Sequence, residues 1–154
     1  MKEALDNAMQ ELKRVDHLFY VSLKYTRTVD MMRHMIERII SAMDYGIESL
    51  LKHAKEGKSV TNIPTNPGLK CELVKKIYSG NQEIISYMNF YMNLKKVLRA
   101  DFTKREEYRR HVTMISIVDG KIIEVSIDTL KEDYETTKNF INFIRRLLYG
   151  EEES

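Results

Sequence analysis

Apolar side chains recur at steps of three and four residues over much of this chain, a period that predicts amphipathic helices. The clearest stripe comprises Val29, Met32, Ile36, Ile39, Met43, Ile47, Leu50 and Ala54. It predicts a long helix over 28–56, and a similar pattern predicts a helix over 2–24 before it. Gly46 lies inside the long helix, where glycine costs about 1 kcal/mol relative to alanine. We therefore expect a second helix to cross close to Gly46.

Both prolines lie in 57–68, a segment without a hydrophobic period, which predicts a loop across one end of the helices. The pattern then predicts a short helix over 69–78 and a longer one over 81–98. The apolar face of the longer helix is broadened by three aromatic residues, Tyr87, Phe90 and Tyr91. Such a wide face predicts burial either inside a bundle or against a second subunit.

Towards the end of the chain the period changes to that of β-strands. Two runs rich in β-branched residues flank Asp119 and Gly120. Asp-Gly between such runs is typical of a two-residue hairpin turn, because both turn residues need positive φ. The sequence thus predicts a β-hairpin over 112–127, after which Asp128 caps a last helix that extends to Leu148.

These patterns predict a mainly α fold, an up-and-down bundle of four to five helices with a β-hairpin inserted before the last helix. The 154-residue length fits one domain over 1–150, followed by an acidic tail over 151–154. A single Cys71 cannot form an internal disulfide, and no stretch approaches the ~20 apolar residues of a membrane-spanning helix. We therefore expect a cytoplasmic protein that does not span a membrane.

Positive charge is concentrated in one segment of the chain. The 25 Lys and Arg residues nearly balance 23 acidic residues, which leaves a formal net charge of +2. The cations of the segment 99–111 are Arg99, Lys104, Arg105, Arg109 and Arg110, and the segment also contains Tyr108 and His111. The planar guanidinium of arginine suits phosphate, and tyrosine can stack on a base. We therefore expect this segment to bind RNA or a nucleotide.

The same segment contains the parts of a metal-independent ribonuclease site. Attack of a 2′-hydroxyl on its own phosphodiester needs a base for the hydroxyl and positive charge near the developing dianion. His111 matches the first task, and Arg105 or Arg109 matches the second. In the alternative interpretation the segment is a solvated helix with pairs at helical spacing, namely Glu106 with Arg109, Glu106 with Arg110, and Glu107 with Arg110.

The other histidines and the cysteine lack a spacing typical of chemistry. A metal site in a bundle would have to combine His17 and His34 with acids such as Asp30, Glu37 or Asp44. No EXXH or HXXXH repeat supports that site, so we predict no metal and no cofactor. Cys71 begins a short helix without a clear partner, which favours a partly buried structural thiol over a nucleophile.

The layout resembles the HEPN superfamily of small helical domains. The likeness rests on a long helix pair ending in DYGIESLLKHAKEGK at 44–58, and on the Arg-x5-His spacing from Arg105 to His111. The resemblance implies a homodimeric bundle, and many HEPN domains are metal-independent ribonucleases whose Arg-x4-6-His motifs meet across the dimer. It thereby implies that Arg105 and His111 are the catalytic pair and that two copies line one cleft. The chain also looks like small proteins common in archaea.

Two further classes of function fit the sequence. A non-enzymatic interaction module would use the helices over 28–56 and 81–98 as a homodimer interface. A small-molecule-binding bundle would line a pocket with Tyr87, Tyr91 and neighbouring methionines. Only the RNA hypothesis assigns separate chemical tasks to individual side chains.

Overall fold

The computed structural model describes residues 2–150, so the acidic tail predicted over 151–154 lies outside the described residues. In chain order the elements are α1 (Lys2–His17), α2 (Leu23–Tyr25), α3 (Val29–Glu56), α4 (Pro67–Ile77), α5 (Gln82–Arg99), β1 (Asp101–Arg105), β2 (Thr113–Val118), β3 (Lys121–Ser126) and α6 (Ile127–Tyr149). A π-helical turn over Leu18–Ser22 joins α1 to the single turn of α2. The mainly α fold predicted from the periodicity is confirmed. Within the described range, every helix is too short or too polar to cross a membrane.

Helix α3 is the centre of the fold, as its long apolar stripe predicts. The hydroxyl of Thr28 caps it by accepting a 3.1 Å hydrogen bond from the amide of Met31. Half of its 28 residues are buried, and it packs against α1, α4, α5 and α6. Most of its buried side chains belong to one hydrophobic cluster that also includes residues of β2 and β3. The small sheet is therefore attached to the same core as the helices.

Gly46 lies where α6 crosses α3, which confirms the predicted close approach of a second helix. A Cβ atom at this position would lie 2.7 Å from the ring of Phe140 and 2.9 Å from the Cδ1 atom of Ile141. Both distances are shorter than van der Waals contact allows. The absence of a side chain at Gly46 thus sets how closely the two helices pack.

The predicted hairpin is confirmed, and the structure adds a third strand to it. β2 and β3 pair antiparallel, and the turn residues Asp119 and Gly120 have φ of 51° and 77°. β1 pairs antiparallel with the other side of β2, with Arg105 opposite Thr113. The helical alternative for the charged residues of the segment 99–111 is therefore wrong, since Lys104 and Arg105 belong to β1 and residues 106–111 form turns and bends.

The start of α6 also differs from the prediction. Ile127, expected as the last hairpin residue, is already helical, and Ser126 caps the helix in place of Asp128. The hydroxyl of Ser126 accepts from the amide of Thr129 at 3.2 Å, and the hydroxyl of Thr129 accepts from the amide of Ser126 at 2.8 Å. This reciprocal capping box satisfies two backbone donors at once, which a single aspartate cap would not do.

Candidate active site at the loop between β1 and β2

Residues 106–111 form a loop that is tied to the start of α3. Glu106 and Tyr108 have positive φ of 54° and 66°, which is uncommon for residues other than glycine. Such backbone conformations cost free energy and persist where the surroundings hold them. The amide of Tyr108 donates a 2.7 Å hydrogen bond to the carbonyl oxygen of Arg27. This bond fixes the loop against the residues that precede α3.

Glu107 provides a second tie to the same place. Its carboxylate accepts a 3.0 Å hydrogen bond from the amide of Val29, one of the unpaired donors in the first turn of α3. The ammonium of Lys104 lies 3.4 Å from Glu107 and 3.7 Å from Asp30. Lys104, predicted to bind nucleic acid, is thus engaged with two carboxylates at the beginning of α3.

A cavity of about 500 Å³ opens between this loop, the ends of β1 and β3 and the first turn of α6. Its basic lining residues are Arg27, Arg105, Arg110 and His111. The structure therefore brings Arg105 and His111 together within one chain. Sequence analysis missed Arg27, because it precedes α3 and belongs to no local basic segment.

Strand pairing explains why Arg105 and His111 line the same cavity. Arg105 ends β1 opposite Thr113, which lies only two residues beyond His111. The hydroxyl of Thr113 donates a 2.9 Å hydrogen bond to the carbonyl oxygen of His111 and so restrains its backbone. The end of β1 and the start of β2 therefore lie side by side, and residues six positions apart line the same cavity.

Carboxylates also line the cavity, namely Glu106, Glu124 and Asp128. Glu124 forms an ion pair with Arg105, with a distance of 3.0 Å between Nη1 and Oε1. The three arginines and three carboxylates of the lining balance in formal charge. The cavity therefore suits a ligand that carries an anion together with hydrogen-bond donors better than it suits a bare anion.

Three other predicted binding residues lie outside the lining of this cavity. Arg99 is an exposed residue at the end of α5, and Arg109 is exposed within the loop. The ring of Tyr108 is 77% exposed beside Arg109. These side chains are free to meet a ligand that extends beyond the cavity.

The aromatic pair proposed for a small-molecule pocket is packed in the protein. Tyr91 is fully buried and donates a hydrogen bond to the carboxylate of Asp44, while the ring of Tyr87 lies 5.0 Å from that of Phe140. Packing inside the chain therefore accounts for the wide apolar face of α5.

The thiol of Cys71 is also buried, 3.7 Å from the sulfur of Met88, and burial raises its pKa to about 11. This environment fits a structural thiol. In the part of the chain that the structure describes, no group of three or more His, Cys, Asp and Glu side chains is arranged to hold a metal ion.

No protein-family model, curated protein or solved structure matches this chain. The relation to the HEPN superfamily therefore stays a prediction from the sequence.

Proposed function

We propose that the protein binds single-stranded RNA at the loop between β1 and β2 and cleaves it there without a metal ion. The observation that supports this proposal is the convergence of Arg27, Arg105, Arg110 and His111 on one cavity. Guanidinium groups bind phosphate oxygens in pairs, and imidazole exchanges a proton near neutral pH. These are the two requirements of phosphodiester cleavage by an internal hydroxyl.

The carboxylates of the cavity favour RNA over a simple anion. A ribonucleotide carries a phosphodiester, which the arginines attract, and it also carries a 2′-hydroxyl and base amino groups that donate hydrogen bonds. Glu106 and Asp128 can accept such bonds. The exposed ring of Tyr108 adds a surface on which a neighbouring unpaired base can stack.

The proposed reaction is an internal transfer. His111 takes the proton of the 2′-hydroxyl, the 2′-oxygen bonds to phosphorus, and the bond from phosphorus to the 5′-oxygen breaks. The leaving oxygen takes a proton from water, so the products are a 2′,3′-cyclic phosphate and a 5′-hydroxyl. Arg105 stabilises the negative charge that develops on the phosphoryl oxygens, and Arg27 and Arg110 hold the phosphate in place.

The homodimer stays a prediction. In this structure Arg105 and His111 line a cavity of one chain, so the proposed reaction does not require a second copy. Size-exclusion chromatography with light scattering measures the oligomeric state. A strict monomer at high concentration would contradict both the homodimer and the interaction-module hypothesis. It would not contradict the proposal of RNA cleavage at the cavity.

The test of cleavage uses end-labelled single-stranded RNA incubated with the full chain in EDTA. We expect fragments that end in a 2′,3′-cyclic phosphate, and we expect the His111→Ala variant to produce none. His53→Ala is the matched control, because His53 is an exposed histidine of α3 that does not line the cavity. Absence of cleavage by the unmodified chain, or equal cleavage by His111→Ala, would overturn the catalytic proposal.

RNA binding is tested separately by fluorescence anisotropy. We expect Arg110→Ala to weaken binding and the matched Arg146→Ala variant to leave it unchanged, since Arg146 is exposed on α6 and does not line the cavity. Equal affinity of the Arg110→Ala variant and the unmodified chain would remove this cavity as the RNA site.

A further inference from the structure

A second basic surface lies in the groove between α1 and α3, which run antiparallel to each other. Its polar lining consists of Gln10, Lys13, Arg14 and His17 from α1 together with His34 and Arg38 from α3. The four residues of α1 follow the three- and four-residue spacing that places side chains on one helix face, and the two residues of α3 are one turn apart. The two stripes line an open, shallow depression of about 320 Å³.

A buried carboxylate lies beside two of the cations of this groove and forms a hydrogen bond with one of them. Glu11 is buried, and its Oε1 lies 2.7 Å from Nη1 of Arg14 on the same helix. Its Oε2 lies 3.5 Å from Nη1 of Arg38 on the neighbouring helix and has no hydrogen-bond partner of its own. The side chains of Arg14 and Arg38 remain 60% and 38% exposed. Since a guanidinium has five N–H donors, both keep donors for a ligand.

The charge balance of this groove differs from that of the cavity at the loop. Lys13, Arg14 and Arg38 supply three positive charges and Glu11 removes one, which leaves a formal excess of two. The residues that line the groove include no acid. The carboxylate of Glu37 lies 4.0 Å from Nδ1 of His34 and is exposed at the margin. The net positive charge of the groove therefore favours a bare anion, whereas the formal charges of the first cavity balance.

We infer that the groove between α1 and α3 binds a phosphate group. The guanidinium groups of Arg14 and Arg38 lie on either side of Glu11 and carry planar pairs of N–H donors, which match the oxygens of phosphate, and the ammonium of Lys13 adds a point charge. Because its hydrogen bond to Glu11 already orders Arg14, binding of a ligand there costs less side-chain entropy. The phosphate belongs either to a free phosphorylated molecule or to an RNA backbone. Binding at this groove is independent of the proposed cleavage at the loop.

Isothermal titration of the full chain with inorganic tripolyphosphate tests this site. We expect Lys13→Glu to weaken binding by about tenfold or more, because it reverses a charge that lines the groove. Lys13 is exposed, so this variant keeps the core intact. The matched control is Lys76→Glu, which makes the same charge change at an exposed position of α4 and should bind as the unmodified chain does.

The same variants in a titration with single-stranded RNA distinguish the two sources of phosphate. Loss of both tripolyphosphate and RNA affinity in Lys13→Glu assigns the groove to an RNA backbone, and loss of tripolyphosphate affinity alone assigns it to a free phosphorylated molecule. The Arg110→Ala variant, which removes a phosphate-binding cation from the cavity at the loop, should still bind tripolyphosphate, and this separates the groove from the proposed active site. Absence of binding, or equal effects of Lys13→Glu and Lys76→Glu, would overturn the inference.

Discussion

The guanidinium of Arg33 lies 4.3 Å from the ring centroid of Phe102 and links helix α3 to strand β1. The same group donates a 2.9 Å hydrogen bond to the carbonyl oxygen of Leu98 near the end of α5. One side chain of the central helix thus fixes both the strand that carries Arg105 and the helix that precedes this strand. The candidate active site depends on this contact through the position of β1.

Replacing Arg33 by alanine should therefore destabilise the protein. A hydrogen bond from a charged donor and a cation–π contact together contribute roughly 2 to 3 kcal/mol. We expect a loss of this size in the free energy of unfolding, measured by urea denaturation. The control is Lys131→Ala at an exposed position of α6, and an equal loss in both variants would contradict the role of Arg33.

Gly46→Ala should destabilise the crossing of α3 and α6. The added Cβ would lie 2.7 Å from Phe140 and 2.9 Å from Ile141, so both side chains must move. Overpacking of this kind costs about 1 to 3 kcal/mol. The gain in helix propensity when alanine replaces glycine is about 1 kcal/mol, so the net effect is a loss over most of that range. We expect a lower melting temperature for Gly46→Ala, and a larger loss for Gly46→Val.

The matched control for that variant is Gly57→Ala. Gly57 ends α3 with a negative φ, and the nearest atom to an added Cβ would be 3.6 Å away. The free energy of unfolding of this variant should lie within about 0.5 kcal/mol of that of the unmodified chain. Equal melting temperatures for Gly46→Ala and Gly57→Ala would mean that the helix crossing tolerates a side chain.

The sequence contained enough information to predict the helices and the hairpin, since their signals are local. The stripe from Val29 to Ala54 predicts α3, and Asp119 with Gly120 predicts the turn between β2 and β3. β1 could not be predicted in this way. Its sequence, DFTKR, has a single apolar residue, and its strand conformation comes from pairing with β2 and from the contact of Phe102 with Arg33.

The candidate site could be predicted only in part for the same physical reason. Arg105 and His111 are close in sequence, so their spacing was visible, but the strand pairing that brings them to one cavity was not. Arg27 joins them because the loop bonds to its carbonyl oxygen. The groove between α1 and α3 shows the same limit. The spacing that places Lys13, Arg14 and His17 on one face of α1 was visible in the sequence. That His34 and Arg38 of α3 lie opposite them was not.

Asp133 should make the stability of the protein depend on pH. Burial, with a smaller contribution from the charge of Glu132, raises the pKa of Asp133 from 3.8 to about 6. The native state therefore keeps a proton that the unfolded state has lost between these values. Stability linked to this group should rise as the pH falls from 8 through 6 and should level off below about 4.

Asp133→Asn tests this dependence because asparagine cannot ionise. The ionised aspartate costs at most about 3 kcal/mol at pH 8, so we expect the variant to be more stable there by up to that amount. The difference between the two proteins should diminish towards pH 4. Glu132→Gln changes charge at an exposed neighbouring position and should give a much smaller effect. A difference that does not vary with pH would refute the assignment.

Glu124→Gln should strengthen RNA binding at the cavity. The ion pair of Glu124 with Arg105 is about half exposed on both sides, and such pairs contribute about 0 to 1 kcal/mol. The loss of orientation for Arg105 is therefore small, while the variant removes a negative charge from the cavity wall and frees N–H donors for phosphate. We expect affinity for single-stranded RNA to rise about threefold at low salt, with Glu132→Gln as the control. Weaker binding would instead show that Glu124 holds Arg105 in the orientation that phosphate requires.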